Sequence, residues 1–332
     1  MARHWFLRCM FVTLVAAVCL VVGYRAGAQD VPDKGAQNSL KPGEVMRVGS
    51  KVITSEQLIA RMWDYEFMAQ PEKRVLNDSL TYLRDTAVIE LEAERLGGLG
   101  LTEEEITRET DRQVEGIRQM VKQDTHGMLT LEDWLKQQNV GMDLEGFRAY
   151  VRERAPIFIT RRVLVRYFEA TEPSIECKHI LLKNLSDANE VHKKLKETPA
   201  KELDSKFEDL AVQRSIDPAA GVTKGRLPRI FENDGTLVKE AAQALWKLKD
   251  GEFSEPVKTD FGWHVFKRDR TLTPPKKTLK EMRDELMKQP DRTNENDYFN
   301  RWIRWVFNTR KYQYERRLPG FDCRPGKSNQ EK

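Results

Sequence analysis

Residues 175–182 read Ile-Glu-Cys-Lys-His-Ile-Leu-Leu, and residues 251–267 read Gly-Glu-Phe-Ser-Glu-Pro-Val-Lys-Thr-Asp-Phe-Gly-Trp-His-Val-Phe-Lys. The first is a short apolar run that predicts a strand over Ile175–Leu182, and the second ends in a closing strand over Trp263–Lys267. Between them the spacing predicts helices around Asp187 to Lys196, Ser205 to Val212 and Glu240 to Leu248. A turn-rich stretch holds Asp217-Pro218, Gly221, Gly225 and Pro228. Helices inserted between the strands of a small, mostly antiparallel sheet make this segment α+β. On the first strand, period two puts Cys177 and His179 on one face.

Upstream the pattern changes. Val45–Val48 and Lys51–Ile53 read as short extended pieces around Gly49-Ser50, and Thr54 with Gln57 matches a capping box. A helix from Glu72 to Leu96 carries Leu76, Leu80, Leu83, Ala87 and Leu91 on one stripe, stopped by Gly97-Gly98. Thr102 with Glu105 opens another, and Thr130 with Asp133 a short one bearing Trp134 and Leu135. Leu144, Phe147 and Val151 begin a helix towards Phe168, and Glu172-Pro173 ends the helical region.

Downstream, Pro274-Pro275 marks an exit, and one helix gathers Phe299, Trp302, Ile303, Val306 and Phe307 on a single face. So apolar a helix needs a partner, and docking on the N-terminal helices is the economical solution. The middle segment is then inserted in a mainly α-helical domain built from both ends of the chain. The expected division is 1–28 leader, 29–43 linker, 44–172 helical domain, 174–269 inserted domain, 276–318 C-terminal helix and 319–332 tail.

The leader expectation rests on Arg3 and Arg8, the uncharged run Cys9–Gly23, and small residues at Ala26-Gly27-Ala28. That run is shorter than the roughly 20 residues of a spanning helix. Export with cleavage after Ala28 is expected, and an uncleaved anchor that keeps the chain near a membrane is the alternative. Three of the 56 basic residues and none of the 52 acidic ones lie in the leader, so the net charge of +4 falls to +1 without it. No global basic field argues for nucleic acid or anionic lipid. Only Arg310, Lys311, Arg316 and Arg317 cluster, and a solvated helix end explains them. Cys177 and Cys323 cannot form a disulfide framework; they are either two free thiols or one bridge.

The blocks Cys177–Leu182, Phe207–Ala211 with Ser215–Asp217, Glu240–Leu245, Gly251–Val257 and Phe261–His264 stand in an order that resembles the parvulin-type (PpiC, or rotamase) prolyl isomerases. With an extended pair and helices before them and an amphipathic helix after, the whole resembles the SurA and PrsA envelope chaperones, whose N-terminal domain Val48–Thr54 is similar to. The resemblance carries His179, Asp217 and His264 into the polar floor of a proline pocket. It makes Leu227, Leu237, Val238 and Phe261 the substrate-binding wall. Rotation about a peptide bond forms no new bond, so neither nucleophile, metal nor cofactor is implied. The plain alternatives are hydrogen-bonded core histidines and a turn residue at Asp217. A zinc site from Cys177, His179 and His264 is a further one, although the spacing fits no common zinc motif.

Two departures from the family bear on turnover. The family's Gly-Gly-Asp-Leu-Gly loop is replaced by Lys224-Gly-Arg-Leu-Pro228, and the aromatic that walls the pocket gives way to Leu237 or Val238. The expected function is an exported prolyl isomerase and chaperone acting on X-Pro bonds of unfolded or nascent envelope and secreted polypeptides. The alternative is a non-catalytic holdase with a degenerate parvulin domain that binds peptides.

Overall fold

The strand expected at 175–182 is β3, Ser174–Leu182, in the computed structural model, which describes residues 40–67, 72–137, 142–292 and 294–316. The leader, most of the linker and the tail, with Cys323, lie outside the described residues. β3 pairs antiparallel with β6, Gly262–Leu272, along its whole length, and with the two-residue β4, Ile230–Phe231. β5, Val257–Thr259, adds to the other edge of β6, giving the order β4-β3-β6-β5. The closing strand runs five residues past the expected Lys267, because β3 offers partners back to Ser174.

Alternation gives the two sheet faces different jobs. Ile180, Leu182 and Val265 point to one face. There they pack on α6, Leu185–Lys196, and α7, Leu203–Arg214, through Val191, Leu195, Phe207 and Leu210. Lys178 and Lys267 also lie on this face, buried, and both donate to Asp204. Burial alone would raise the Asp204 carboxyl, but the two ammonium groups hold it at about 2. The opposite face carries Ile175, Cys177 and Phe266, packed with Ile230 and with Ala241 and Leu245 of α9, Lys239–Lys247. Period two keeps Ile175 and Cys177 on that face together, while the register shift between Glu176 and Cys177 leaves Asp269 of β6 as the extra, bulged residue. A one-turn helix α8, Ala220–Thr223, ends in the 224–229 loop leading to β4.

The chain divides into two compact units. The first takes the described residues up to Val165, Leu279–Asn300 and those from Lys311 onward; the second takes Arg166–Thr278 and Arg301–Arg310. The α+β domain is thus an insertion within a mainly helical one.

In the first unit, β1 (Glu44–Val48) lies between β2 (Lys51–Thr54) and β7 (Tyr314–Arg316), so the two ends of the chain share one sheet. The helices are α1 (Ser55–Phe67), α2 (Glu72–Arg95), α3 (Glu103–Asp124), α4 (Leu131–Gln137), α10 (Leu279–Lys288) and the part up to Val165 of α5 (Leu144–Thr171), whose last turns belong to the second unit. Both expected capping boxes form: Gln57 and Thr54 exchange bonds at 2.9 and 3.3 Å, and Thr102 and Glu105 at 2.9 and 3.2 Å. Val114, Ile117, Val121, Trp134, Leu135, Phe147 and Val151 form one core.

Two expectations need correction. The 276–318 segment is not a single helix, since α10 precedes the helix α11, Glu295–Arg310, and β7 follows it. Nor does the apolar face of α11 belong with the N-terminal helices alone. Arg301–Arg310 belong to the second unit, where Trp305 packs on Phe168 at 4.8 Å between centroids. Phe168 in turn meets Phe231 at 4.4 Å, and that aromatic row takes up the helix.

Candidate active site

His179 on β3 stands opposite Phe266 on β6, and Leu181 stands opposite His264. His179 and His264 are therefore diagonal neighbours on one face, with Phe266 beside both. The His264 and Phe266 rings stack with centroids 5.3 Å apart at 1°, and the two imidazoles lie 5.6 Å apart at 25°. Asp217 comes from the loop after α7. Ser215 Oγ places that loop by accepting from Leu181 N at 3.1 Å and from Asp217 N at 3.2 Å, and Ile216 N donates to Leu181 O at 2.8 Å.

These residues form one run of polar contacts. Asp217 Oδ2 lies 2.7 Å from His179 Nε2, and His179 Nδ1 lies 3.4 Å from His264 Nδ1. His264 Nε2 lies 2.8 Å from Thr259 Oγ1, which accepts from Phe261 N at 3.2 Å. Burial would raise the Asp217 carboxyl, but the Ala219 N–H and His179 outweigh it and hold the pKa below the usual range. Asp217 is thus an acceptor, and His179 Nε2 donates to it. Burial, reinforced by His179, pushes His264 down to about 4, so its ring is neutral at ordinary pH. A neutral His264 ring carries a single proton, so one of its nitrogens donates and the other accepts along the run from Thr259 Oγ1 to His179 Nδ1.

Beside this floor, the 224–228 loop is fixed by backbone. His179 N donates to Gly225 O at 2.8 Å and Leu227 N to Cys177 O at 3.1 Å. Gly225 has φ +78°, and a Cβ there would lie 2.5 Å from His179 O. Gly262 is under the same constraint, with φ +140° and a Cβ 2.5 Å from Leu182 O. Both glycines are required by close backbone approach to the strand that carries His179.

Of the expected site residues, the structure brings His179, Asp217 and His264 together. Leu227 and Leu237 are half-buried and pack on the cluster that contains Phe266. Val238 and Phe261 are not in that cluster; they are 40% and 69% exposed. Cys177 is a free thiol on the same face, and burial pushes it up to about 12, so it is a packing residue and not a nucleophile. Among the described residues no group of three His, Cys, Asp or Glu is placed to hold a metal ion. The sequence reading missed Thr259, Ser215 and Phe266. Period two from His264 reaches Phe266, whereas Thr259 meets His264 only through the β5–β6 pairing.

A sheet of this order, with two stacked histidines and an aspartate over one face, defines a parvulin-type isomerase domain. The model of the PPIC-type PPIase (rotamase) domain matches residues 179–270. Foldase protein PrsA of Geobacillus kaustophilus is 32% identical over 223 residues, 67% of this chain and 71% of that protein. Foldase protein PrsA of Bacillus subtilis is 34% identical over 158 residues, 48% of this chain and half of that protein. Among solved structures, the parvulin of Nitrosopumilus maritimus is 37% identical and covers 29% of this chain and 96% of its own, with a TM-score of 0.25. The chain belongs to the PrsA foldase family, and its inserted domain is a peptidyl-prolyl cis-trans isomerase domain.

Proposed function

We propose that the chain is an exported foldase that isomerises X-Pro bonds of unfolded polypeptides, with His179, Asp217 and His264 as the catalytic floor. What carries the reading is the continuous polar run from Asp217 to Thr259, set on the Phe266 ring. Uncatalysed rotation meets a barrier of roughly 18–20 kcal/mol because the amide must lose its resonance. A pocket lowers that barrier by taking the carbonyl out of water and by offering groups already oriented for the twisted amide. No bond is made or broken, so a floor of fixed dipoles is sufficient. Leu227 and Leu237 supply the apolar wall against which the proline ring rests.

Export rests on the leader pattern before Ala28. Among the described residues no helix is long and apolar enough to cross a membrane. Unfolded or nascent exported chains are the substrates this reading implies, and the helical domain of 44–172 is their chaperone surface.

A second reading, a holdase with a peptide-binding but inactive domain, is favoured by one observation. Val238, expected in the wall, is exposed to solvent at 40%. An isomerisation assay on a short X-Pro peptide separates the two. The full chain is expected to accelerate cis-trans exchange, with Asp217→Ala and Thr259→Val each lowering kcat/KM by about tenfold or more, the equivalent of ~1.4 kcal/mol. No acceleration by the unsubstituted chain would leave only the holdase.

A further inference from the structure

The segment between β4 and α9 is held by a helix from the far end of the sequence. Its turn, Phe231–Thr236, puts Asn233 at φ +65° and Gly235 at φ +66°. The buried Asp234 carboxylate ties the turn to itself, accepting from Thr236 N at 2.9 Å on one oxygen and from Phe231 N at 3.3 Å on the other. Arg301 of α11 closes on that second oxygen with Nε at 3.1 Å and Nη2 at 2.7 Å, and Nη2 also donates to Arg229 O. One and two turns further along α11, Arg304 Nε donates to Asp234 O at 3.1 Å and Asn308 Nδ2 to Asn233 O at 2.8 Å. The guanidinium groups of Arg229 and Arg301 lie 5.3 and 5.4 Å from the centre of the Phe231 ring.

The sheet alone gives this turn little support. β4 has two residues and meets β3 only at Ser174–Phe231 and Ile175–Ile230. Directly after the turn come Leu237, packed on the cluster that holds Phe266, and Val238 at the start of α9. Whatever fixes Asp234 therefore fixes the distance between the apolar wall and the Phe266–His264 floor.

We propose that Arg301 of the C-terminal helix is a positioning residue for the proline pocket: through Asp234 it holds the wall at Leu237 in register with the floor. The proposal rests on the isomerase reading of the site. Arg301 is bonded to Asp234 and to Arg229 O, outside the run from Asp217 to Thr259, so its effect belongs to substrate binding. Nor is it exchangeable with lysine, because a single ammonium cannot make the forked contact to Asp234 and also reach Arg229 O.

The test uses the full chain with Arg301→Met and Arg301→Lys. Three quantities are measured: the Kd of a fluorescent Ala-Ala-Pro-Phe peptide, and kcat and KM for its cis-trans exchange. Both Kd and KM should rise, by about tenfold in Arg301→Met and about threefold in Arg301→Lys, while kcat stays at the unsubstituted value. If Arg301→Met does not fold, Arg301→Lys, which keeps the charge beside Asp234, decides alone. A purely structural ion pair would lower the melting temperature and leave Kd and KM as they were, and that result overturns the proposal. If the unsubstituted chain binds the peptide without accelerating exchange and Kd still responds to Arg301, the isomerase reading fails while the positioning role stands. No peptide binding by the unsubstituted chain overturns both.

Discussion

His264 is held neutral by burial and by the neighbouring His179, with its pKa near 4, and this links the site to stability. In the unfolded chain a histidine titrates at about 6.5, so as pH falls below that value the unfolded state takes up the proton first. Stability attributable to His264 is therefore full above about pH 6.5, declines through the window down to about 4, and amounts to roughly 3 kcal/mol at most. Asp217, shifted below its ordinary carboxylate value, contributes stability that is lost only beneath that window. His192, also lowered by burial, works in the same direction as His264, so the contribution must be isolated by substitution. Urea unfolding between pH 7 and 4 should show a shallower pH slope for His264→Gln than for the unsubstituted chain. Equal slopes would mean that His264 is not held neutral. At this scale, the sequence made His179, Asp217 and His264 visible because each sits inside a short block of recognisable order. It concealed Thr259 and the Asp234–Arg301 pair. The first depends on the register of β5 with β6, and the second joins residues 67 apart that no local pattern connects.

Elements with strong periodicity were legible nearly to their ends. α2 was expected over 72–96 and spans Glu72–Arg95; α6 and α9 differ from expectation by one or two residues. Their apolar stripes at three- and four-residue steps are the reason, and for α1 and α3 the capping residues Thr54 and Thr102 announce the helix before the stripe begins. β4 and β7 were not legible: with two and three residues they exist only because a longer strand already offers its edge. α10 did carry a signal in Leu279, Met282 and Leu286, at three- and four-residue steps, which the stronger stripe of α11 overshadowed. α5 runs through Pro156, where a break is the ordinary expectation, and Thr160 Oγ1 donates to Pro156 O at 2.8 Å. The loop between α8 and β4 offers the element-level test. Gly225→Ala would force a Cβ against His179 O and Ala211 Cβ, at 2.5 and 2.9 Å, from a left-handed backbone. It should cost more than about 2 kcal/mol, read as a lower urea midpoint. A midpoint unchanged from the parent would contradict the close packing of this loop on β3.

For the whole molecule, the insertion was legible from the change of pattern at Glu172-Pro173, where proline ends helix α5, and again at Pro274-Pro275, which follows the end of strand β6. The division of α11 was not, since one apolar stripe along a helix does not say that its two halves belong to different units. An isomerase domain carried within a helical chaperone domain is an arrangement that can both hold an unfolded chain and speed its slow step. Proline isomerisation limits refolding on a scale of tens of seconds, whereas aggregation depends on exposed apolar chain, so the two contributions separate in one experiment. The measurement is the refolding of an unfolded protein whose slow phase is set by a proline, followed with the full chain and with Asp217→Ala. The unsubstituted chain is predicted to raise both the rate of the slow phase and the final yield, and Asp217→Ala to raise the yield alone. A slow phase that the unsubstituted chain leaves at its spontaneous rate, while the yield still rises, would contradict the isomerase and leave a holdase.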